Sequence, residues 1–353
     1  MKTIDLALSY DDVLLVPQYS KIDSRSKVDL ATQITPHVKL LLPLISINMT
    51  DVTGAEMAIA VGKLGGIGFL PRFSSDTEQA EMVAKVKKSG VYVGAAIGVK
   101  DGFIERSEKL VKAGVDILTI DVAHGHMEKS LEATRQLRQK FGNKIGIISG
   151  VIGTYEGAED LFKAGADSVR VGVGPGTICI TRIATGVGVP QITAVMEASR
   201  AARKYKKTIL CDGGTKNSGD IVKGLAAGAS AVIIGSQFAG TDEAPGSIII
   251  RDGIKYKTYN ASTSLAEKTK HLKKLKDLGK NYAMHIEGVE SLVKYKGPVS
   301  DLISLMEANI KSGLSYSGAK NIPELWQKAQ FVRVSPMGNR ENGAHDVTIA
   351  TAC

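Results

Sequence analysis

A cysteine lies in the glycine-rich stretch VRVGVGPGTICITR, residues 169–182, where a thiol could serve as a nucleophile. Three glycines precede Cys179 in this stretch, so the surrounding side chains give the sulfur little shelter. Backbone N–H groups exposed in such a loop favour the thiolate, which is the reactive form. Thr181 follows two residues later, where its hydroxyl could reach the group that leaves when Cys179 attacks a substrate. The pattern predicts a catalytic cysteine, with a purely structural cysteine as the alternative.

The chain has two further cysteines, and neither has a comparable setting. Cys211 lies within TILCDGG and is predicted to be a small buried residue, while Cys353 is the last residue. Three scattered cysteines give neither a disulfide framework nor paired metal-ligand spacing. We therefore expect free thiols in a reducing compartment, by default the cytoplasm.

Two polar, glycine-containing segments follow apolar runs, namely CDGGTKNSGD at 211–220 and IIGSQFAG at 233–240. Backbone N–H groups in such loops bind phosphate when the loops open a helix, although a glycine pair can also be a simple turn. Asp212 could accept hydrogen bonds from ribose hydroxyls beside that phosphate, or it could cap a helix. Thr177 could add a hydroxyl group to the same site.

Three stretches share a pattern in which a helical segment ends at Ala-Gly and a β-branched apolar run follows: residues 112–122, 163–173 and 226–236. Glycine suits the left-handed conformation that ends many helices. Each stretch therefore predicts a helix-to-strand junction.

Five other apolar runs complete a series of eight predicted strands: residues 42–48, 65–71, 90–98, 144–150 and 207–214. Apolar strands that alternate with helices indicate a parallel sheet covered by helices, and eight of them favour a closed (β/α)8 TIM barrel. An open doubly wound sheet is the rival, but a G-x-G-x-x-G near the first strand is absent. In a barrel, chemistry is expected at the carboxyl ends of the strands.

The composition sets limits on partners. The net charge is +9, but aromatic residues make up only 5% of the chain and no nucleic-acid motif occurs. Part of the charge comes from residues 267–280, which carry six lysines and predict a solvated segment or a cover over an anionic ligand. No apolar run approaches a membrane span of about 20 residues. Nucleic acid and membrane are therefore not expected partners.

Several motifs follow one another from about Ser9 to Val347, in order and without a large gap. They are SYDDVLLVPQYS (9–20), GVGPGTICITR (172–182), DGG (212–214) with SGDIVKGLAAGA (218–229), IGSQFAG (234–240) and VKYKGPVSDL (293–302). Together these motifs resemble the family of inosine monophosphate dehydrogenases and guanosine monophosphate reductases.

The resemblance implies one catalytic (β/α)8 barrel domain over residues 1–353, usually in a homotetramer, that binds a purine 5′-monophosphate and a nicotinamide cofactor, NADPH or NAD. Cys179 matches the nucleophile that adds to purine C2, and Thr181 and Glu287 match the pair that handles protons on the leaving group or water. Asp212 matches the ribose ligand. The phosphate cradle is matched by Thr177, Gly213, Gly214, Gly235, Ser236 and Tyr259.

The cofactor and cation positions also come from the resemblance. Asp121 matches a residue beside the nicotinamide, with Gly172 and Gly174 in the same cofactor-binding set. The backbone carbonyls of Gly174, Gly176 and Cys179 match those that hold a monovalent cation, K⁺, in the dehydrogenases.

Two features favour a reductase over a dehydrogenase. Residues 84–96 run straight on where typical dehydrogenases insert a paired regulatory (CBS) module. The mobile flap, expected at about 253–297, has no arginine between 259 and 297, whereas dehydrogenases use a flap arginine to activate water. We therefore expect NADPH-dependent reductive deamination of GMP to IMP and ammonia. NAD-dependent oxidation of IMP to XMP is the alternative.

Three departures from the family pattern bear on base recognition. Thr50 and Val151 replace the usual Asp and Asn, and residues Asn260 to Ser264 replace the loop that touches the base. A divergent nucleotide-binding paralogue, without turnover or with a modified purine nucleotide as substrate, is the second alternative.

Overall fold

The computed structural model describes residues 5–274, 284–344 and 347. The strands within these ranges are β1 (Val13–Leu15), β2 (Thr32–Thr35), β3 (Val38–Leu40), β4 (Leu44–Ser46), β5 (Ile67–Leu70), β6 (Val93–Ile97), β7 (Ile117–Ile120), β8 (Gly146–Ile152), β9 (Ser168–Val171), β10 (Thr208–Asp212), β11 (Ala231–Ile234), β12 (Ile248–Arg251), β13 (Ile254–Asn260), β14 (Glu290–Lys294) and β15 (Phe331–Arg333).

The helices in the same ranges mostly alternate with the strands. They are α1 (Ala55–Lys63), α2 (Asp76–Lys88), α3 (Phe103–Lys112), α4 (Glu128–Phe141), α5 (Tyr155–Lys163), α6 (Thr181–Thr185), α7 (Gln191–Tyr205), α8 (Ser218–Ala226), α9 (Ser236–Ala239), α10 (Leu265–Lys274), α11 (Val299–Tyr316), α12 (Ile322–Lys328) and α13 (Pro336–Asn339). None of the described helices is both long and apolar enough to cross a membrane.

Strands β4 to β11 form a closed parallel barrel in chain order, and β11 pairs with β4 to complete it. The eight predicted strands are all present, which confirms the (β/α)8 TIM barrel. The open doubly wound sheet is wrong, because such a sheet has two edge strands that are each paired on one side only, whereas every strand from β4 to β11 has two neighbours. Closure removes those edges and satisfies their backbone hydrogen bonds.

The predicted helix-to-strand junctions follow local chemistry. Thr154 caps α5, since its side chain accepts a hydrogen bond from the Gly157 N–H. The helix ends at Lys163, and Gly165 follows with a φ of 110°, a conformation that side chains disfavour. Strand β9 begins three residues later and is buried along its length. The glycine therefore lets the chain reverse from the helix into the barrel.

Aliphatic and aromatic side chains fill the inside of the barrel, and the hairpin β2–β3 closes its amino end. Thr208, the first residue of β10, donates a 2.7 Å hydrogen bond to the Ile34 carbonyl of this hairpin. The interior cluster combines both parts and includes Ile34, Leu40, Ile45, Phe69, Ile117, Ile148, Leu210 and Ile233. The carboxyl end of the barrel is thereby left for the polar residues.

A three-stranded antiparallel sheet, β12–β13–β14, lies between α9 and α11, and α10 follows β13. This sheet and helix contain the described part of the predicted flap; residues 275–283 lie outside the described residues. At the predicted insertion point, α2 and β6 are separated by residues 89–92 alone, so the chain has no inserted module there.

Candidate active site

Cys179 lies in the loop between β9 and α6, at the carboxyl end of the barrel. The loop turns back on itself, because the Cys179 N–H donates a 3.0 Å hydrogen bond to the Gly176 carbonyl. The sulfur lies 3.1 Å from the hydroxyl of Thr181, the first residue of α6. Cys179 is half-buried, so a ligand can reach it from the adjoining clefts.

Glu287 reaches the cysteine loop because the chain before β14 pairs with that loop. The Ile180 N–H donates to the Glu287 carbonyl at 2.9 Å, and the Val289 N–H donates to the Ile178 carbonyl at 3.1 Å. The Thr181 hydroxyl donates a 2.7 Å hydrogen bond to Glu287 Oε2. A continuous path for a proton therefore joins the Cys179 sulfur, the Thr181 hydroxyl and the Glu287 carboxylate.

One cleft brings the residues of the predicted phosphate cradle together with Cys179. Thr177 and Ser236 approach each other across it, with 3.3 Å between their hydroxyl oxygens. Burial raises the pKa of Tyr259 well above its usual value, so its hydroxyl stays protonated and can donate. The cleft is lined by Thr177, Cys179, Asp212, Gly213, Gly214, Gly235, Ser236 and Tyr259, together with residues of the loop after β13.

Asp212, at the end of β10, also lines this cleft and is held by Arg170. Arg170 Nε donates to Asp212 Oδ2 at 2.8 Å, and Nη2 lies 2.7 Å from the same oxygen. Burial raises the pKa of Asp212, and Arg170 opposes this shift. Helix α8 is capped by Asn217, whose side chain accepts from the Asp220 N–H. The alternative that Asp212 caps the helix is therefore wrong.

A second cleft adjoins the first, and Cys179, Gly172 and Gly174 line both. Asp121, at the end of β7, lies in this second cleft, where Arg72 Nε donates to Oδ2 at 2.9 Å. Burial alone would raise the pKa of Asp121, but the guanidinium groups of Arg72 and Arg170 lower it. An ionised carboxylate therefore faces the second cleft, which Cys179 also lines.

The predicted cation ligands Gly174, Gly176 and Cys179 lie together on the cysteine loop. The Gly176 carbonyl already accepts the Cys179 N–H, but a carbonyl oxygen has a second lone pair. Backbone carbonyls are ligands that monovalent cations accept. The loop is therefore compatible with such an ion.

Of the positions that depart from the family pattern, Thr50 contacts the flap, Asn260 belongs to it, and Val151 lines the second cleft. Thr50 Oγ1 donates to Glu267 Oε2 of α10 at 3.5 Å, and the Asn260 N–H donates to Asp51 Oδ2 at 3.0 Å. His271 of the same helix stacks on Phe73, with ring centroids 3.8 Å apart. Because Phe73 lines the second cleft, these contacts place α10 next to that cleft.

Sequence reasoning missed Arg170 and Lys268. Arg170 is an arginine inside the buried strand SVRV, and a charge in such a strand was the available signal. Lys268 is buried in α10, where its ammonium donates to the His285 carbonyl, and no sequence signal distinguished it from its exposed neighbours. Burial lowers the pKa of Lys268, and nearby Glu287 opposes this shift.

Cys211 is fully buried, as predicted, but it is not only a packing residue. Its sulfur lies 2.9 Å from the Tyr10 hydroxyl, and burial raises the pKa of the thiol to about 11. Cys353 lies outside the described residues. Cys179 is thus the cysteine that faces the clefts within the described part of the chain.

Comparisons with known proteins agree with this geometry. The model of the IMP dehydrogenase / GMP reductase domain matches residues 7–345. An inosine-5′-monophosphate dehydrogenase from Nitrosopumilus maritimus is 34% identical, covering 97% of this chain and 98% of the relative. A GMP reductase from Leishmania donovani is 32% identical, covering 99% of this chain and 98% of the relative.

A solved structure gives the same result. A cysteine-to-alanine variant of GMP reductase from Trypanosoma brucei, in complex with guanosine 5′-monophosphate, superposes with a TM-score of 0.93. It is 29% identical in sequence, and the match covers 98% of this chain and 99% of that one. This chain therefore belongs to the IMP dehydrogenase/GMP reductase family of oxidoreductases.

Proposed function

We propose that this protein is a GMP reductase that converts GMP and NADPH to IMP, ammonia and NADP⁺. The observation that carries the proposal is the hydrogen-bonded series Cys179, Thr181 and Glu287, present in a chain whose flap has no arginine between residues 259 and 297. The series can protonate a leaving amine, and a reductase needs no activated water.

The substrate lies in the first cleft. Its phosphate binds to backbone N–H groups and hydroxyls of the cradle, contributed by Thr177, Gly213, Gly214, Gly235, Ser236 and Tyr259. The Asp212 carboxylate accepts hydrogen bonds from the ribose hydroxyls. Both Arg170 contacts fall on Asp212 Oδ2, so Oδ1 is directed to the ligand. This placement sets purine C2 beside the Cys179 sulfur.

Catalysis begins when the Cys179 thiol gives its proton through Thr181 to the Glu287 carboxylate, and the resulting thiolate adds to C2, which becomes tetrahedral. Thr181 passes a proton from Glu287 to the amine at C2, and the C–N bond breaks as ammonia leaves. When bound, the nicotinamide dinucleotide supplies the hydride that C2 then receives. The C–S bond finally breaks, which returns the thiolate and releases IMP.

The second cleft is the proposed cofactor site. Asp121, Gly172 and Gly174 line it next to Cys179, so a ring bound there lies beside C2. The preference for NADPH over NAD follows from the reductive direction. A monovalent cation such as K⁺, held by the carbonyls of Gly174, Gly176 and Cys179, would fix the shape of the cysteine loop.

The rival reaction is NAD-dependent oxidation of IMP to XMP, and one electrostatic interaction favours it. Lys268 brings a buried positive charge into the neighbourhood of Glu287. A cation there could help Thr181 and Glu287 to activate water without the flap arginine. The altered loop from Asn260 to Ser264 motivates the other alternative, a nucleotide-binding paralogue without turnover or with a modified purine nucleotide as substrate.

Four further expectations belong to the same proposal. The chain works as one catalytic barrel domain over residues 1–353, the flap at about 253–297 is mobile, the enzyme is a homotetramer, and its location is the cytoplasm. Light scattering with size-exclusion chromatography measures the assembly. A monomer that is active at assay concentration would rule out the tetramer as the working form.

The deciding experiment follows the absorbance of reduced nicotinamide in two parallel mixtures. One contains GMP with NADPH, and the other contains IMP with NAD and potassium. A fall in absorbance in the first mixture alone supports the reductase, and a rise in the second alone supports the dehydrogenase. No change in either favours the paralogue.

A further inference from the structure

Arg170 connects the two clefts through a single guanidinium group. It projects from β9, and its side chain is only 4% exposed. Two of its nitrogens contact Asp212 Oδ2, at 2.8 and 2.7 Å, and Nη1 lies 3.4 Å from Asp121 Oδ1. One buried cation is therefore shared by carboxylates from two different barrel strands.

The two carboxylates face different ligands. Asp212 lines the cleft of the phosphate cradle, and Asp121 lines the neighbouring cleft, which Arg170 also lines. The far oxygen of Asp121 is held by Arg72 Nε at 2.9 Å. The series Arg72, Asp121, Arg170 and Asp212 thus runs from one cleft to the other without an intervening apolar residue.

We propose that Arg170 is a positioning residue through which nucleotide bound at Asp212 strengthens cofactor binding at Asp121. The proposal rests on the proposed function, because that function assigns the nucleotide to the first cleft and the dinucleotide to the second. It adds a specific energetic link between them.

The sign of the coupling follows because the Asp212 and Asp121 carboxylates compete for the one guanidinium group of Arg170. In the free protein Arg170 lies closer to Asp212 than to Asp121. Ribose hydroxyls that donate hydrogen bonds to Asp212 partly neutralise the charge of this carboxylate, so the ion pair between Asp212 and Arg170 weakens. Arg170 can then shorten its 3.4 Å contact with Asp121 and fix that carboxylate for the second ligand. Linkage requires the reciprocal effect, so the cofactor must also tighten nucleotide binding.

The test measures this coupling directly. In a Cys179→Ala background, which blocks turnover, calorimetry gives the Kd of GMP alone and with saturating NADPH, and the ratio of the two Kd values is the coupling factor. Arg170→Lys keeps the charge, but a single ammonium cannot span both carboxylates. We expect the coupling factor to fall by about fivefold or more.

The matched control is Arg138→Lys. Arg138 is partly buried and contacts a buried carboxylate, with Nη2 2.6 Å from Asp167 Oδ2, and neither residue lines the two clefts. We expect this variant to keep the coupling factor of the parent. A coupling factor that is unchanged in Arg170→Lys, or lowered equally in both variants, overturns the proposal.

Asp121→Asn covers the case in which Arg170→Lys does not fold. It weakens the link on the cofactor side while the Asp212 contacts remain, so the coupling factor should fall. An unchanged coupling factor contradicts the proposal here too. If the Cys179→Ala protein binds IMP and NAD instead, the coupling factors are measured with that pair. Only the assignment as a GMP reductase is then rejected, and the coupling is still tested. If it binds neither pair, both the proposed function and the coupling are rejected.

Discussion

The Thr181 hydroxyl donates a 2.7 Å hydrogen bond to the Glu287 carboxylate, although the two residues are 106 positions apart. Thr181 begins the short helix that follows the cysteine loop, and Glu287 precedes the last strand of the flap sheet. Their contact is made when residues 178–180 pair with residues 287–289. The hydrogen bond between Thr181 and Glu287 therefore depends on the pairing of the flap with the cysteine loop.

Removing the Thr181 hydroxyl should interrupt this path. We expect Thr181→Val to lower kcat by about 10²-fold to 10⁴-fold, because the leaving group loses its proton donor. Thr181→Ser keeps the hydroxyl and should retain most activity. Steady-state kinetics measures both variants, and calorimetry with GMP should show an unchanged Kd.

Thr185→Val is the control for this series. Thr185 lies one turn further along the same helix and donates to the Thr181 carbonyl at 2.7 Å. It should leave kcat close to that of the wild type. An equal loss of kcat in Thr185→Val would mean that the effect comes from disturbing the helix and not from interrupting the proton path through Thr181.

Gly235→Ala should weaken binding of the phosphate group. An added Cβ would lie 2.8 Å from the hydroxyl oxygen of the buried Tyr259, so the cradle must shift. We expect the Kd for GMP to rise about tenfold, which corresponds to about 1.4 kcal/mol, whereas the Kd for guanosine stays the same. Calorimetry with both ligands separates the two effects.

Gly343→Ala provides the matched glycine substitution, because an added Cβ there meets nothing within 4 Å. It should change neither Kd. If Gly235→Ala weakened guanosine and GMP equally, the cradle would not be a phosphate site.

Stability should fall at alkaline pH because of Cys211. Burial raises the pKa of this thiol from 9.0 to about 11, so the unfolded chain ionises first as the pH rises. The folded state then binds more protons than the unfolded state, and the free energy of unfolding decreases between about pH 9 and pH 11. A shift of about two pKa units corresponds to about 2–3 kcal/mol.

Urea denaturation at pH 8 and at pH 11 measures this loss. Cys211→Ala should show a smaller decrease than the wild type by about 2–3 kcal/mol, whatever its stability at pH 8. The comparison cancels ionising groups away from Cys211, because both proteins share them. Tyr10 contacts Cys211, which helps to raise the Tyr10 pKa, so the measured difference includes that contribution as well. Equal decreases would show that Cys211 makes no such contribution.

Cys179 and Cys211 should differ in reactivity towards iodoacetamide. Cys179 faces two clefts, whereas Cys211 is fully buried beside Tyr10. We expect the peptide containing Cys179 to be alkylated at least about 10-fold faster, since only an accessible thiolate reacts. Peptide mass spectrometry measures both rates, and GMP should protect Cys179. Equal rates in the folded protein would contradict the assignment.

The sequence by itself determined the barrel and the glycine-rich loop that carries Cys179. Apolar runs that alternate with helices can bury both faces only in a parallel sheet, and a junction such as Gly165 needs only local backbone chemistry. Cys179, Thr177 and Thr181 lie within five residues, so one motif carries them. The same holds for the loops after β10 and β11.

The tertiary structure decided how distant groups share a site. Glu287 reaches Thr181 only through pairing of the flap with the cysteine loop, and Asn217 takes the capping role that Asp212 could have taken. The shared contacts of Arg170 depend on strands that closure of the barrel brings together. Periodicity and local motifs record short-range backbone preferences. Contacts between strands and loops far apart in the chain depend on three-dimensional packing, and no local pattern encodes that packing.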